Sequence, residues 1–308
     1  MLDIISKLKQ LRLHILVAED NDISMELMTI LLGKAGIKVD TVDNGQFVLE
    51  KIKIRHYDAI FMDVQMPGLD GFDTTRLIRK WEVGTEQHIP IIATTAQSLK
   101  GDREQCLAAG MDDYISKPIK PTVLFDTIEH WVSHRHHPEI KTTDSTLRDA
   151  FVKITSDSTL EGLVLEEAPT LESNEPRNAN IPMLTTEKEP PINQETALPL
   201  FFNNRQLFLE MCQQLIIQIP DMMFEINQAL HTNHTKDLKR HAHNLKGVMA
   251  NFSAGPVSQA ADKIASMNSN TDPELAAQWV QQLESEIENL YLYLENQLGL
   301  KRTIQHPD

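Results

Sequence analysis

Five ionisable or hydroxyl side chains fall just past predicted β-strands in the first 120 residues. Glu19 and Asp20 follow the apolar run Leu13–Ala18, and Asp63 follows Ala59–Met62. Thr95 closes the run that opens at Pro90, and Lys117 follows Asp113–Ser116. Three carboxylates meeting at one sheet edge repel one another unless a divalent cation neutralises them. Oxygen-only donors with room for water suit Mg2+. A hydroxyl and an ammonium opposite that cation would hold the oxygens of a phosphoryl group. The set therefore predicts an anion built on a carboxylate beside Mg2+. Two adjacent threonines, Thr94 and Thr95, are sent to opposite faces by strand alternation, so one of them faces the site.

A second reactive position lies far along the chain. Thr235–Phe252 carries Leu238, His241, Leu245, Val248, Met249 and Phe252 on one face at helical spacing. His241 falls within that stripe and reads as a partly buried packing residue. His243 lies about 160° from Leu245 at ~100° per residue, so it points away from the stripe toward solvent. Its neighbours one turn either way are Lys239, Arg240, Lys246 and Gly247. Three cations around one imidazole lower its pKa and favour a nearby phosphoryl group. Gly247 inside a helix costs about 1 kcal/mol relative to Ala, which is tolerable where a partner must approach closely. His231 and His234 fall at an expected loop and read as surface residues.

These positions need elements to hold them. Residues 13–132 alternate short apolar runs with helical patterns, with a Pro- and Gly-rich loop at Met66-Pro67-Gly68 and a helix stop at Gly110. Five strands alternating with five helices imply an α/β doubly wound, five-stranded parallel sheet covered on both faces. Its ligand site belongs at the carboxyl ends of the strands. From Leu198 to Leu298 the pattern is helical throughout, with Pro220 expected to break or kink the first helix. Asp272-Pro273-Glu274 is a helix start with an N-cap, a proline and an acid in the first turn. The expectation is an all-α four-helix bundle with short loops.

Between the two lies a stretch of different composition. Of 15 prolines in the 308-residue chain, six fall in residues 138–197, which hold 5 Lys and Arg against 12 Asp and Glu. Such a stretch cannot bury enough apolar surface to offset chain entropy, so it reads as a disordered acidic linker, with one sticky run at Leu147–Ile154. About 60 flexible residues have an r.m.s. span of roughly 40–45 Å, enough to bring Asp63 and His243 face to face. The net charge of −15 argues against direct nucleic-acid binding. No apolar run reaches the ~18–20 residues of a membrane span, and Met1–Leu13 does not read as a signal peptide. Two separated cysteines, Cys106 and Cys212, exclude a disulfide framework and point to a cytoplasmic setting.

LVAEDN (16–21), MDVQMPGLDG (62–71), IIATTA (91–96) and DDYISKP (112–118) together resemble the receiver domain of two-component response regulators, a flavodoxin-like fold, over residues 12–133. The resemblance implies that Asp63 is the phosphoacceptor. Asp20, Asp63 and the Gln65 carbonyl would bind Mg2+, with Glu19 acting through water. Thr95, chosen over Thr94 by family spacing, and Lys117 would contact the phosphoryl oxygens, and Tyr114 would reorient when the site is occupied. It also implies a cis Lys117–Pro118 bond. HAHNLKGVMANFSA (241–254) resembles the His-x-x-Lys-Gly signature of histidine-containing phosphotransfer (HPt) domains, placed here over 198–300. That resemblance makes His243 the phosphorylated histidine, supported by Lys246 and Gly247. The pair implies a phosphorelay intermediate like the C-terminal part of a hybrid sensor kinase, fed by an upstream histidine kinase and serving a downstream receiver. No Gly-rich ATP lid is read, so the chain is not expected to make phosphohistidine from ATP. The alternative is a phosphorylation-gated binding switch, with the bundle a docking module or phosphate sink.

Overall fold

The computed structural model describes residues 1–85, 87–96, 100–132, 189–268 and 271–302. Most of the predicted linker, including Leu147–Ile154, lies outside the described residues.

The first 132 residues build a five-stranded parallel sheet in the order β2-β1-β3-β4-β5. Its strands are β1 (His14–Ala18), β2 (Lys38–Val42), β3 (Ala59–Asp63), β4 (Ile91–Thr95) and β5 (Asp113–Ser116). β3 and β4 are buried at every position, as central strands covered on both faces must be. The crossovers are α2 (Asp22–Lys34), α3 (Gly45–Ile54), α4 (Gly71–Glu82) and α5 (Lys100–Ala108), and α6 (Pro121–Val132) closes the domain. Side chains cap three of these helices. Asn21 accepts from the Ser24 N–H, Asn44 from Phe47 and Asp70 from Asp73. Asp70 is thus a cap, as its place beside a glycine suggests. Gly110 takes φ +97°, just beyond α5.

One element was not expected. α1 (Leu2–Leu11) precedes the first strand, buries Leu8, and joins α6 through a Lys7–Glu129 ion pair of 3.1 Å. Its lysines obscure the apolar spacing of Leu2, Ile5 and Leu8.

The helical half contains α8 (Arg205–His231), α9 (Thr235–Asn251), α10 (Gly255–Ala265) and α11 (Pro273–Leu298), each packed on two of the others. Pro220 does not end the first helix, which runs unbroken for 27 residues. Losing one N–H donor is outweighed by the buried face of Phe208, Met211, Leu215, Ile219 and Ile226. α11 starts at the Asp272 cap, whose carboxylate accepts from Glu274 N–H at 2.9 Å. Cys106 and Cys212 are both buried.

The linker expectation fails at its end. Residues 189–197 are described and ordered into the bundle. Asn193 caps the short helix α7 (Gln194–Ala197), Ile192 and Ala197 are buried, and a 3₁₀ turn (Leu198–Phe201) follows. Pro190 and Pro191 give this stretch a linker composition, but its few apolar side chains anchor it.

Phe201 and Phe202 then split between the two halves. Phe201 packs on Phe208 and Phe252 of the bundle, with centroids 5.3 and 5.7 Å away. Phe202, at φ +56°, stacks on Phe125 of α6 at 6.2 Å. One apolar cluster therefore runs from the sheet domain into the bundle. Among the described residues no helix is long and apolar enough to cross a membrane.

If residues 189–197 belong to the core, Ile192→Ala destabilises the chain by about 2–5 kcal/mol, the range for truncating a buried aliphatic side chain to alanine. A urea unfolding curve matching wild type would return that segment to the linker.

Candidate functional site

The sheet order places the switch point between β1 and β3, and the acidic residues gather there. Ala18 pairs with Met62, Asp63 with Thr94, and Thr95 with Ser116, so the ends of four strands meet at one edge. One donor oxygen each from Glu19, Asp20 and Asp63 lies within 4.8 Å of the others. Lys117 Nζ donates to Glu19 Oε2 and to Asp63 Oδ2, both at 2.7 Å. Its side chain is 5% exposed. The Gln65 N–H donates to Asp63 Oδ1 at 3.1 Å. Gly71 packs directly on the backbone after Asp63, because a Cβ there would collide with the Asp63 carbonyl oxygen. The Lys117–Pro118 peptide is cis.

The electrostatics ask for another positive charge. Burial, followed by repulsion from Asp63, pushes the Asp20 carboxyl up to about 6. Burial raises Glu19 too, against the pull of Lys117. For Lys117 burial works downward, but Asp63 and Glu19 outweigh it and hold the ammonium above its usual range. Asp20 Oδ1 is buried and has no hydrogen-bond partner. An orphaned carboxylate oxygen among three acids and one ammonium fits a divalent cation.

The bundle supplies the opposing wall. His243, on α9, is 6% exposed, against the sequence expectation that it faces solvent. It does point away from the bundle core, but the sheet domain covers it there. Burial pulls its pKa down to about 4, the Asp63 charge opposes, and Lys117 and Lys246 add to the fall. The imidazole is therefore neutral at pH 7, chiefly through desolvation rather than the three local cations expected. Asn244 Nδ2 donates to Asp20 Oδ2 at 2.8 Å. A Cβ on Gly247 would stand 3.3 Å from Lys117 Cδ and 3.6 Å from Ala96 Cβ, so this helix face lies close against the sheet domain.

Other residues singled out from sequence sit as follows. Thr95 is buried at the end of β4, where its carbonyl accepts from the Lys117 N–H at 2.7 Å. Thr94 is buried beside it. Tyr114 is half-buried on β5, in register with Ala93. Lys246 is half-buried, and its Nζ pairs with the more exposed Asp262 of α10 at 2.8 Å. His241 is the partly buried residue expected, bonded to Glu225 at 2.7 Å. Sequence reasoning missed Asn244 and Asn251. Asn251 donates to Ser24 Oγ at 3.3 Å. The signal was available, since 243, 247 and 251 form an i, i+4, i+8 row of polar and small residues.

Comparison with known proteins agrees with this division. Residues 15–129 match the response regulator receiver domain family, and residues 210–291 match the Hpt domain family. The first region is similar to "Hybrid signal transduction histidine kinase I" of Dictyostelium discoideum, 44% identical over 119 residues covering 37% of this chain. It is also similar to "Sensor histidine kinase GacS" of Pseudomonas protegens, 40% identical over 121 residues covering 38% of this chain. The matches span only 7% and 13% of those two proteins. Among solved structures, the receiver domain of sensor histidine kinase PA1611 from Pseudomonas aeruginosa PAO1, crystallised with a coordinated magnesium ion, is 37% identical. It covers 39% of this chain and 98% of that chain, with a TM-score of 0.36.

The depressed His243 pKa carries a sign. Packing of the bundle face on the sheet domain favours the neutral ring, so the contribution is complete above the ordinary imidazole value of about 6.5 and is lost as pH falls toward 4. In Gly247→Leu the new side chain has no room beside Lys117, so the face opens and the His243 resonances titrate closer to 6.5. An NMR titration of both chains checks this, and a value unmoved by Gly247→Leu would show that the domain contact is not what desolvates the ring.

Proposed function

The chain carries a response regulator receiver domain and an Hpt domain and is homologous to hybrid sensor histidine kinases, and on that premise we propose that Asp63 and His243 exchange a phosphoryl group as successive stations of one phosphorelay. The observation that carries the reading is the burial of His243 against the acidic edge of the sheet domain, where the adjacent Asn244 bonds Asp20.

The chemistry is an in-line displacement at phosphorus. The lone pair of a His243 ring nitrogen forms the P–N bond while the P–O bond to Asp63 breaks, its electron pair returning to the carboxylate. The reverse step runs through the same arrangement. A neutral ring is required, because a protonated imidazole has no lone pair on either nitrogen. Lys117 stabilises the carboxylate that Asp63 becomes, and with Thr95 it would hold the phosphoryl oxygens. Glu19, Asp20, Asp63 and the Gln65 carbonyl would hold Mg2+, which when bound neutralises the charge on the transferring group. Gly247 allows close approach, and positioning supplies much of the rate. Lys246, held by Asp262, adds positive charge on the histidine side. Tyr114 is the candidate for the side chain that reorients with phosphorylation.

In this reading an upstream histidine kinase charges Asp63, His243 serves a downstream receiver, and the relay operates in the cytoplasm.

Asp63→Ala abolishes Mg2+-dependent labelling by a small acyl phosphate, and EDTA abolishes it in wild type. Labelling of Asp63→Ala, or labelling indifferent to EDTA, removes Asp63 from the assignment. Lys246→Ala slows arrival of phosphate at His243 while changing stability by no more than about 1 kcal/mol, as for a partly exposed ion pair.

Exchange within one chain has a rate independent of protein concentration. The check mixes a His243→Ala chain phosphorylated on Asp63 with an Asp63→Ala chain and dilutes the mixture. Transfer there as fast as in wild type, and scaling with dilution, places exchange between molecules. Labelled Asp63 that never passes phosphate to His243 leaves the bundle a docking module or sink.

A further inference from the structure

Asn251 ends α9, two turns beyond His243, and takes no part in the chemistry. It is 1% exposed, and Ser24 of α2, its partner across the domain contact, is 3% exposed. Asn251 Nδ2 donates to Ser24 Oγ at 3.3 Å, and Asn251 Oδ1 has no partner. Ile23, Leu27 and Met28 of α2 and Val248, Met249 and Phe252 at the end of α9 belong to the same apolar cluster. The site is thus a polar pair in an oily surround. Its position is fixed on the sheet side, because Ser24 lies in the first turn of α2 and its N–H is held by the Asn21 cap, beside Asp20.

We propose that Asn251 is a specificity-determining residue, by which the bundle selects a receiver carrying a small hydroxyl at the Ser24 position. When the two domains separate, water satisfies the Asn251 amide. When they dock, the amide is desolvated and only Ser24 meets it. The cost of a wrong partner therefore falls on docking and not on the fold of either domain. A receiver with an apolar residue at that place leaves a buried, unpaired amide, which weakens docking about five- to hundredfold. Chemically, the partner is this chain's own receiver or another with Ser or Thr at the same place. The pair also sets register, because a slide of one helical turn would leave the amide facing Leu27 or Met28. The inference rests on the docked arrangement in the proposed function, and it names what selects the partner.

The test uses the full chain. Diethyl pyrocarbonate reacts with His243 only when the ring is exposed, so its rate, located by mass spectrometry, reads the undocked fraction. Ser24→Ala is expected to raise that rate about tenfold, and Ser24→Thr to keep it within twofold of wild type. Adding Asn251→Leu to Ser24→Ala, which removes both polar groups, is expected to restore most of the protection. Far-UV circular dichroism checks that each chain is folded, and the Ser24→Thr comparison excludes general loosening. An unchanged rate in Ser24→Ala, or strictly additive effects of the two substitutions, overturns the proposal. Failure of the function is separate: protection that responds as expected in a chain whose phosphorylated Asp63 never charges His243 keeps the specificity pair and removes the exchange.

Discussion

The arrangement depends on one ammonium. Lys117 Nζ stands 2.7 Å from both Glu19 and Asp63, and Asp20 lies alongside with one oxygen unbonded. Three carboxylates against one ammonium leave a deficit of positive charge where water is largely excluded, and a shortfall of that kind is what a cation or a partner domain can relieve. The sheet order makes the cluster possible by bringing the ends of β1, β3, β4 and β5 to one edge. Gly71 packs directly on the backbone after Asp63, and the Gln65 N–H donates to the carboxylate.

The bundle meets this edge with a face suited to it. Gly247 leaves room for the Lys117 and Ala96 side chains, and the amides of Asn244 and Asn251 reach Asp20 and Ser24. An alanine at 247 would bring a methyl carbon to 3.3 Å from the Lys117 side chain, so the helix accepts the cost of glycine to keep the approach. Phe202 on Phe125 and Phe201 on Phe208 and Phe252 join the domains away from the site. Apolar contact there holds the halves together, while the polar contacts near His243 set where they meet. This division suits a relay, in which a station must bind well enough to align the reacting atoms and loosely enough to let go.

Much of this was legible in the sequence. The alternation of apolar runs and helical patterns determined the parallel sheet, because a strand covered on both faces must be apolar throughout and a crossover helix must be amphipathic. The types and spacing of Glu19, Asp20, Asp63 and Lys117 determined that acids and an ammonium would share one edge. Spacing on α9 determined that His243 points away from its own bundle.

Only the tertiary structure decided what lies on the other side. Helical periodicity shows which residues leave a bundle's core, but it cannot distinguish water from a second domain beyond them. His243 reads as exposed for that reason, although it is buried against the sheet domain. Composition marked residues 189–197 as linker, since a few apolar side chains among prolines matter only once a surface exists to receive them. Ser24 and Asn251, more than two hundred residues apart, carry no local sign of each other. Their hydrogen bond exists because two separate cores come together, and long-range meetings of that kind are set by the summed packing of both domains and not by any one stretch of chain.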